Sequence, residues 1–261
     1  MIFEFFESLH IIGIYFSIVL LIRLSFELGY RIGKYVKLKG DKEASNALSP
    51  MVGGLLGMLA FVLAFTFSMA AGNHDLRKHY VLDEANAIGT AYLRADLLDS
   101  SSQNAIRNLL REYVDIRIKN VSGEHMQEAQ KRSLEIHTLL WTQASAAAIA
   151  HPGTNSSLVV QSINEVIDMH EKRITAGIRN RIPVTVWIAL FIISTLSMLT
   201  MGVQAGLSNV RRLVAVFPLL LSFGALATVV VDLDRPQNGT IVVGQEAMIS
   251  LQKSMYTAEI K

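Results

Sequence analysis

The chain has 261 residues, of which 51% are hydrophobic and only 18% are charged, against about 25% charged in an ordinary soluble domain. The charges avoid four windows that are each about as long as a bilayer is thick, which excludes a simple soluble protein and a disordered chain. The net charge of +2, without a long basic run, argues against a nucleic-acid partner, and the lack of cysteine excludes disulfides and thiolate metal sites.

These four apolar windows predict four membrane-spanning helices. A helix needs about 20 apolar residues to cross about 30 Å of hydrocarbon. The first window contains Arg23, which must reach the headgroups or pair with Glu27 one turn on. The windows cover residues 9–28, 51–71, 184–203 and 213–231.

Lys and Arg residues near the spans predict the orientation in the membrane. The loop 29–49 and the short loop 205–212 are basic, which favours a cytoplasmic position for both and places the termini and the long middle segment outside. These loop residues are Arg31, Lys34, Lys37, Lys39, Lys42, Arg211 and Arg212. Six basic residues that flank the middle segment nearly cancel the difference: Arg77, Lys78, Lys172, Arg173, Arg179 and Arg181.

The middle segment, residues 72–182, predicts an extramembrane bundle of about four helices. Its first helix has apolar positions at heptad spacing, which indicates one buried stripe: Val81, Ala85, Ile88, Tyr92 and Ala95. Turn residues at 99–102, 120–123 and 151–156 separate the helices. No proline or turn cluster separates Ala71 from His74, so the first bundle helix should continue span two, and the last should lead into span three near Pro183.

The predicted fold class is therefore all-α, an integral membrane protein with four transmembrane helices and a helical extramembrane bundle inserted between spans two and three. The predicted segments are 1–71 for spans one and two with the basic loop, 72–182 for the bundle, 183–236 for spans three and four, and 237–261 for a tail. The tail should contain an amphipathic helix with Met248, Leu251 and Met255 on one side.

One face of span two and its extension is a candidate pore lining. At about 100° per residue, small residues and two phenylalanines lie on the same face of span two. In the helical extension beyond the span, the same face carries a row of polar residues. Several copies around an axis would form a pore with an apolar constriction and a wet vestibule. Close helix packing by Gly and Ser, or a merely solvated polar face, is the alternative interpretation. The candidates are Gly54, Phe61, Phe65, Ser68, Gly72, His79, Asp83, Asn86, Thr90 and Arg94.

Charged residues where spans two and four leave the membrane are candidates for an ion-pair latch, because unpaired charges at such a depth are costly. They are Asp75, Arg77, Lys78, Asp232, Asp234 and Arg235. An ion-coordinating or selectivity ring is the alternative role. No metal site is expected, since His74 and His79 lie about 140° apart on a helix; surface pairing of His79 with Asp75 or Asp83 is expected instead.

Two runs resemble the signatures of a known family. They are FTFSMAAGNHDLRKHYVLDEANAIGTAYLRADLL at 65–98 and VVDLDRP at 230–236. The chain resembles, over residues 51–245, the bestrophin-like domain proteins of bacterial membranes. This resemblance implies an oligomeric, anion-conducting channel in the bacterial inner membrane, with apolar residues around a narrow neck on the second span. Phe61 and Phe65 match that position.

Two hypotheses of function follow. The first is a homo-oligomeric channel in the lipid bilayer, conducting a small anion, with span two and its extension lining the pore. The second is a membrane-anchored sensor or scaffold whose bundle binds a ligand or a partner protein. An enzyme is not expected, because nucleophile, phosphate-loop and metalloprotease motifs are absent from the sequence, and no cofactor is expected. Oligomeric state separates the two hypotheses, since a channel of this kind needs a ring.

Overall fold

The computed structural model describes residues 10–38, 44–119, 126–208, 213–236 and 239–257, which are mostly helical. The α-helices are α1 (Ile11–Leu38), α2 (Ala44–Arg94), α3 (Ser100–Lys119), α4 (Met126–Ala150), α5 (Thr154–Ile174), α6 (Val184–Ser208), α7 (Leu213–Leu233) and α8 (Glu246–Thr257). A 3-10 turn (Ala95–Leu97) follows α2, and a π-helical turn (Thr175–Arg179) follows α5. No residue in the described ranges lies in a strand, which confirms the all-α prediction.

Four of the described helices, α1, α2, α6 and α7, are long and apolar enough to cross a membrane, as predicted. The predicted pairing inside the first span is also confirmed, because Arg23 Nη1 lies 3.1 Å from Glu27 Oε2. Helix α1 extends to Leu38, well beyond the apolar window, so the basic residues at 31, 34 and 37 are helical rather than part of a loop. The other basic loop residues, at 39, 42, 211 and 212, lie outside the described residues, as does the predicted turn at 120–123.

Helix α2 is uninterrupted over its 51 residues, which confirms that the first bundle helix continues span two. The last bundle helix does not continue into span three, contrary to expectation, because residues 180–183 are not helical. Pro183 disfavours a helical conformation at Ile182 and has no N–H of its own. The N–H of Ile182 donates instead to Asp234 Oδ1, at 3.0 Å.

The chain divides into two compact units. The first, here called the membrane unit, comprises Met1–Asn73 and Arg181–Ile241. The second, the bundle unit, comprises His74–Asn180 and Val242–Lys261. The predicted tail is thus shared between the two.

Glycines bring two spans of the membrane unit into close contact. Gly29 and Gly33 on α1 lie against the backbone of Leu199 and Val203 on α6, and Gly202 on α6 lies against the backbone of α1 in turn. A Cβ atom at any of these glycines would collide with backbone atoms. Small residues four apart allow such close approach in membrane helices. Gly29 contacts Leu199 and Gly33 contacts Val203, so the residue numbers of the contacting pairs increase in the same direction along both helices. Helices α1 and α6 therefore run parallel.

The bundle unit has its own apolar core. The stripe predicted for the first bundle helix is buried throughout, at 0–5% exposure. Ile106, Leu110 and Tyr113 of α3 are also fully buried. Helix α8 packs on this core through Met248 and Met255, as its amphipathic pattern predicted.

Candidate functional site: the exposed face of the second span

Helix α2 packs within the membrane unit through one narrow stripe and leaves the opposite face exposed. The buried residues of this stripe are Val52, Leu59, Leu63, Thr66 and Ala70. Phe61 and Phe65 are 72% and 56% exposed. At 3.6 residues per turn they lie roughly opposite the stripe, so the packing of a single chain turns both phenyl rings outward.

The residues that share this outward face are small. Gly54, Ser68 and Gly72 are exposed, and a Cβ atom at either glycine would meet nothing within 4 Å. On one flank of this face the side chains are also small, and on the other flank they are methionines. The small flank is Gly53, Gly57, Ala60 and Ala64, and the methionine flank is Met51 and Met58, all exposed. The two flanks therefore differ in shape, one providing grooves and the other providing long side chains.

In the bundle unit, α2 again has a buried stripe and an exposed polar side. His79, Asp83, Asn86 and Thr90 are exposed. Arg94, the last residue of the predicted row, is half-buried and its Nη1 donates to the carbonyl of Leu158 at 3.1 Å. Four of the five predicted polar residues are thus available at the surface of a single chain, while Arg94 is partly occupied within it.

The predicted latch residues of span four are buried and hold the chain that leaves the membrane unit. Asp232 Oδ1 accepts from the N–H of Thr240 at 2.7 Å, and its Oδ2 accepts from the N–H of Ile241 at 3.1 Å. Asp234 accepts from Ile182, as described above. Asp232, Asp234 and Arg235 are at most 8% exposed. Both carboxylates therefore have structural partners inside their own unit.

The latch residues of α2 belong to the bundle unit. Arg77 is 4% exposed, and its guanidinium donates to the carbonyls of Ala176 and Asn180 at 2.9 and 3.0 Å. Ala176 lies in the π-helical turn and Asn180 directly follows it, so both carbonyls are at the C-terminal end of this helical segment, where a cation is favourable. Lys78 and Asp75 are exposed, and Asp75 Oδ2 lies 3.5 Å from His79 Nε2. Pairing between these residues and the span-four group stays a prediction.

Sequence reasoning missed a buried group of polar side chains inside the bundle unit, here called the polar cluster. Its centre is Glu84 on α2, which is fully buried. Tyr113 on α3 donates to Glu84 Oε1 at 2.6 Å, and Arg117 Nη2 donates to Oε2 at 3.3 Å. Arg173 on α5 contacts the same carboxylate. The Tyr113 hydroxyl also lies 2.9 Å from His170 Nδ1. Three helices are thus joined at one carboxylate.

His137 on α4 completes the polar cluster. Its ring lies edge-on to that of His170, with centroids 4.7 Å apart, and 5.0 Å from the ring of Tyr113. Its Nε2 atom is buried without a hydrogen-bond partner. Burial lowers the pKa of His137 to about 4 and that of His170 to about 3, so both are neutral at pH 7. Burial, and then Glu84, raise the pKa of the Tyr113 hydroxyl.

A signal for this cluster exists in the sequence. Glu84, Tyr113 and His170 each occupy a position at which the helical spacing requires a buried side chain. His170, for instance, follows Ile163 and Ile167 on the apolar side of α5. Each of three helices thus has one titratable residue on its apolar stripe. A buried titratable group without a partner is unfavourable, so this pattern indicates that the three side chains share a buried contact.

Together, the four apolar helices and the helical unit between them define a multi-pass membrane protein in contact with the lipid bilayer. The family model of the bestrophin-like domain matches residues 19–248, so the chain belongs to the bestrophin-like family. That family is of the channel type. Searches of curated proteins and of solved structures gave no match.

Proposed function

We propose that the chain is a homo-oligomeric channel for small anions in the bacterial inner membrane, in which α2 of each copy lines the pore. The observation that carries this proposal is the exposed face of α2. Phe61 and Phe65 point away from the core of their own chain, on a face shared with small residues. Around a central axis, these rings would form a dry constriction that water and ions cross poorly.

Helix α1 provides the comparison for a face that contacts lipid. Its exposed side consists of large apolar residues one turn apart: Ile12, Phe16, Leu20, Leu24 and Leu28, each more than half exposed. The exposed side of α2 instead contains glycine, alanine and serine at most positions. Small residues in a span favour close approach of another helix over contact with lipid, which supports a protein neighbour at α2.

The two flanks of the α2 face support a ring of copies. Met51 and Met58 on one flank would fill the space left beside Gly53 and Gly57 on the other, where a Cβ atom would meet nothing within 4 Å of the single chain. A contact between two different surfaces of identical chains is heterologous, and it forms a closed ring when the rotation closes. Such an arrangement would direct Phe61 of every copy toward the axis.

Anions are the proposed substrate class. The family match supports a channel, and the chemistry of the constriction is compatible with negative charge. A phenyl ring has a negative face and a positive edge. If Phe61 and Phe65 present their ring edges to the pore axis, the constriction would be a lower barrier for anions than for cations. Exposed donors at His79, Asn86 and Thr90 would replace part of the hydration shell beyond the constriction.

A membrane-anchored sensor or scaffold is the second candidate, favoured by the polar cluster inside the bundle unit. Native mass spectrometry and anion flux from liposomes test the two together. The channel proposal expects a closed ring of more than two copies and flux that requires the protein. A dimer without flux would contradict it and leave the sensor.

We further propose that residues 29–49 and 205–212 face the cytoplasm, from the distribution of Lys and Arg. A reporter enzyme that works only in the periplasm is then expected to be active when fused after Ser102. A reporter that works only in the cytoplasm is expected to be active when fused after Ser208. The reverse pattern would invert the orientation while leaving the number of spans unchanged.

A further inference from the structure

The polar cluster is the feature of the bundle unit that the channel proposal does not use. The titratable and charged groups that face its two histidines come from four helices: Glu84 on α2, Tyr113 and Arg117 on α3, His137 on α4, and His170 and Arg173 on α5. Arg173 also donates to the side chain of Gln245, which precedes α8, at 2.8 Å. One carboxylate thus faces two guanidinium groups, so the cluster has a formal charge of +1 (2 − 1) while both imidazoles are neutral.

The helices are not joined to this cluster in the same way. Helices α2, α3 and α5 are connected by hydrogen bonds and ion pairs through Glu84. Helix α4 takes part only through the ring contacts of His137, whose Nε2 has no partner. Arg132 of α4 does pair with Glu112 of α3 at 2.7 Å, but both side chains are about 40% exposed, and an exposed pair typically contributes at most about 1 kcal/mol.

Small side chains make up part of the remaining buried surface of α4. Its buried surface includes Ser133, Ala144 and Ala147 beside the larger Ile136 and Leu140. An alanine contributes little apolar area to a core compared with leucine or isoleucine. The protonation state of His137 and His170 therefore contributes to whether α4 stays packed.

We propose that the bundle unit is an acid-responsive element, in which protonation of His137 and His170 separates α4 from α3 and α5. Two imidazolium rings 4.7 Å apart would raise the formal charge of the cluster from +1 to +3. The Glu84 carboxylate lies 4.0 Å from His170 Nδ1 but already pairs with two guanidinium groups. Two further positive charges in this buried cluster are therefore strongly unfavourable, and solvation of α4 would relieve them. Helices α2, α3 and α5 would stay joined, because the Glu84 ion pairs do not involve α4. This regulation does not depend on conduction.

The direction of the response follows from burial. The opened state has histidines with the ordinary pKa near 6.5, whereas burial lowers the pKa of His137 to about 4 and that of His170 to about 3 in the packed state. The packed state is therefore fully favoured above pH 6.5 and loses stability as the pH falls toward 4. With two protons taken up on opening, the opening equilibrium increases by up to about a hundredfold per pH unit in that range.

Trp141 provides a direct optical readout. It lies on α4 one turn after His137 and is 43% exposed. The sequence has two tryptophans, so Trp187→Phe leaves Trp141 as the only one. The experiment titrates the full chain with this substitution, in nanodiscs, from pH 7.5 to 4. Trp141 emission and hydrogen–deuterium exchange, corrected for the intrinsic rate at each pH, are followed together.

The expected result is a transition below pH 6.5 with faster exchange in α4 than in α3 and α5. His137→Phe with His170→Asn should abolish it, since Phe keeps the ring packing and Asn keeps a donor for Tyr113. If the double variant does not fold, His137→Phe alone should still reduce the pH dependence from about two protons to one. His151→Gln, at an exposed histidine after α4, should behave like the parent.

Three outcomes would overturn the proposal. The first is an unchanged transition in the histidine variants. The second is simultaneous exposure of α3, α4 and α5, which would indicate simple acid unfolding of the whole unit. The third is an α4 that stays protected down to pH 4.

Discussion

Replacing Phe61 and Phe65 together by alanine is expected to increase anion flux from liposomes by at least about tenfold. The two substitutions remove the largest side chains from the proposed constriction and allow water to enter it. A tenfold increase requires a lowering of the barrier by only about 1.4 kcal/mol. Because both rings are more than half exposed in the single chain, truncation should cause little loss of packing within each copy.

Phe16→Ala is the matched control. Phe16 is a phenylalanine of α1 with 63% exposure, on a side made of large apolar residues, and its truncation should leave the flux unchanged. Leu59 on α2 is 3% exposed, so Leu59→Ala should instead reduce stability by about 2–5 kcal/mol through the cavity that it leaves. Equal flux from the phenylalanine pair and from Phe16→Ala would place Phe61 and Phe65 against lipid or a neighbouring helix.

Gly202→Leu is expected to prevent folding of the membrane unit. The added side chain would start at a Cβ position that collides with backbone atoms of Phe26 and Tyr30 on α1. Overpacking costs about 1–3 kcal/mol even when side chains can move aside, and here the obstacle is backbone. We expect a large loss of monodisperse protein in detergent, measured by fluorescence-detected size-exclusion chromatography.

Two glycines that meet nothing within 4 Å serve as controls for this substitution. Gly13→Leu on α1 should preserve both yield and assembly. Gly57→Leu on α2 should preserve the fold of each copy but reduce assembly, because it fills the proposed groove between copies. A Gly202→Leu variant with parental yield and elution volume would show that α1 and α6 do not require this close approach.

The sequence was most informative where the helical spacing was regular. The continuity of α2 followed from the unbroken spacing of apolar residues around Val81 and from the lack of a helix breaker before it. The end of the last bundle helix was predicted wrongly, although Pro183 was noted. The hydrogen bond from the N–H of Ile182 to Asp234 accompanies the break at Pro183. Asp234 is 52 residues away along the chain, so helical spacing could not identify it as the partner.

The polar cluster shows a different limit. The helical spacing puts Glu84 at the edge of the buried stripe of α2, but an isolated buried carboxylate is unfavourable, and the sequence does not show which groups would pair with it. Its partners come from two other helices, and only the packing of those helices brings Arg117 and Arg173 to the carboxylate. In contrast, the exposed face of α2 is a property of one helix, and the periodicity of that helix was enough to predict which residues share it.

Modification of single introduced cysteines by a charged thiol reagent, one in α2 and a control in α1, tests the central claim most directly. The chain has no cysteine, so each introduced cysteine is the only reactive thiol. Ser68→Cys lies on the proposed pore face, and Leu20→Cys lies on the exposed side of α1 that we propose to contact lipid, at a position 59% exposed. A water-soluble anionic methanethiosulfonate is predicted to reduce anion flux strongly for Ser68→Cys and to leave Leu20→Cys unchanged. Unchanged flux for Ser68→Cys despite complete labelling, or equal inhibition of both variants, would contradict a pore lined by α2.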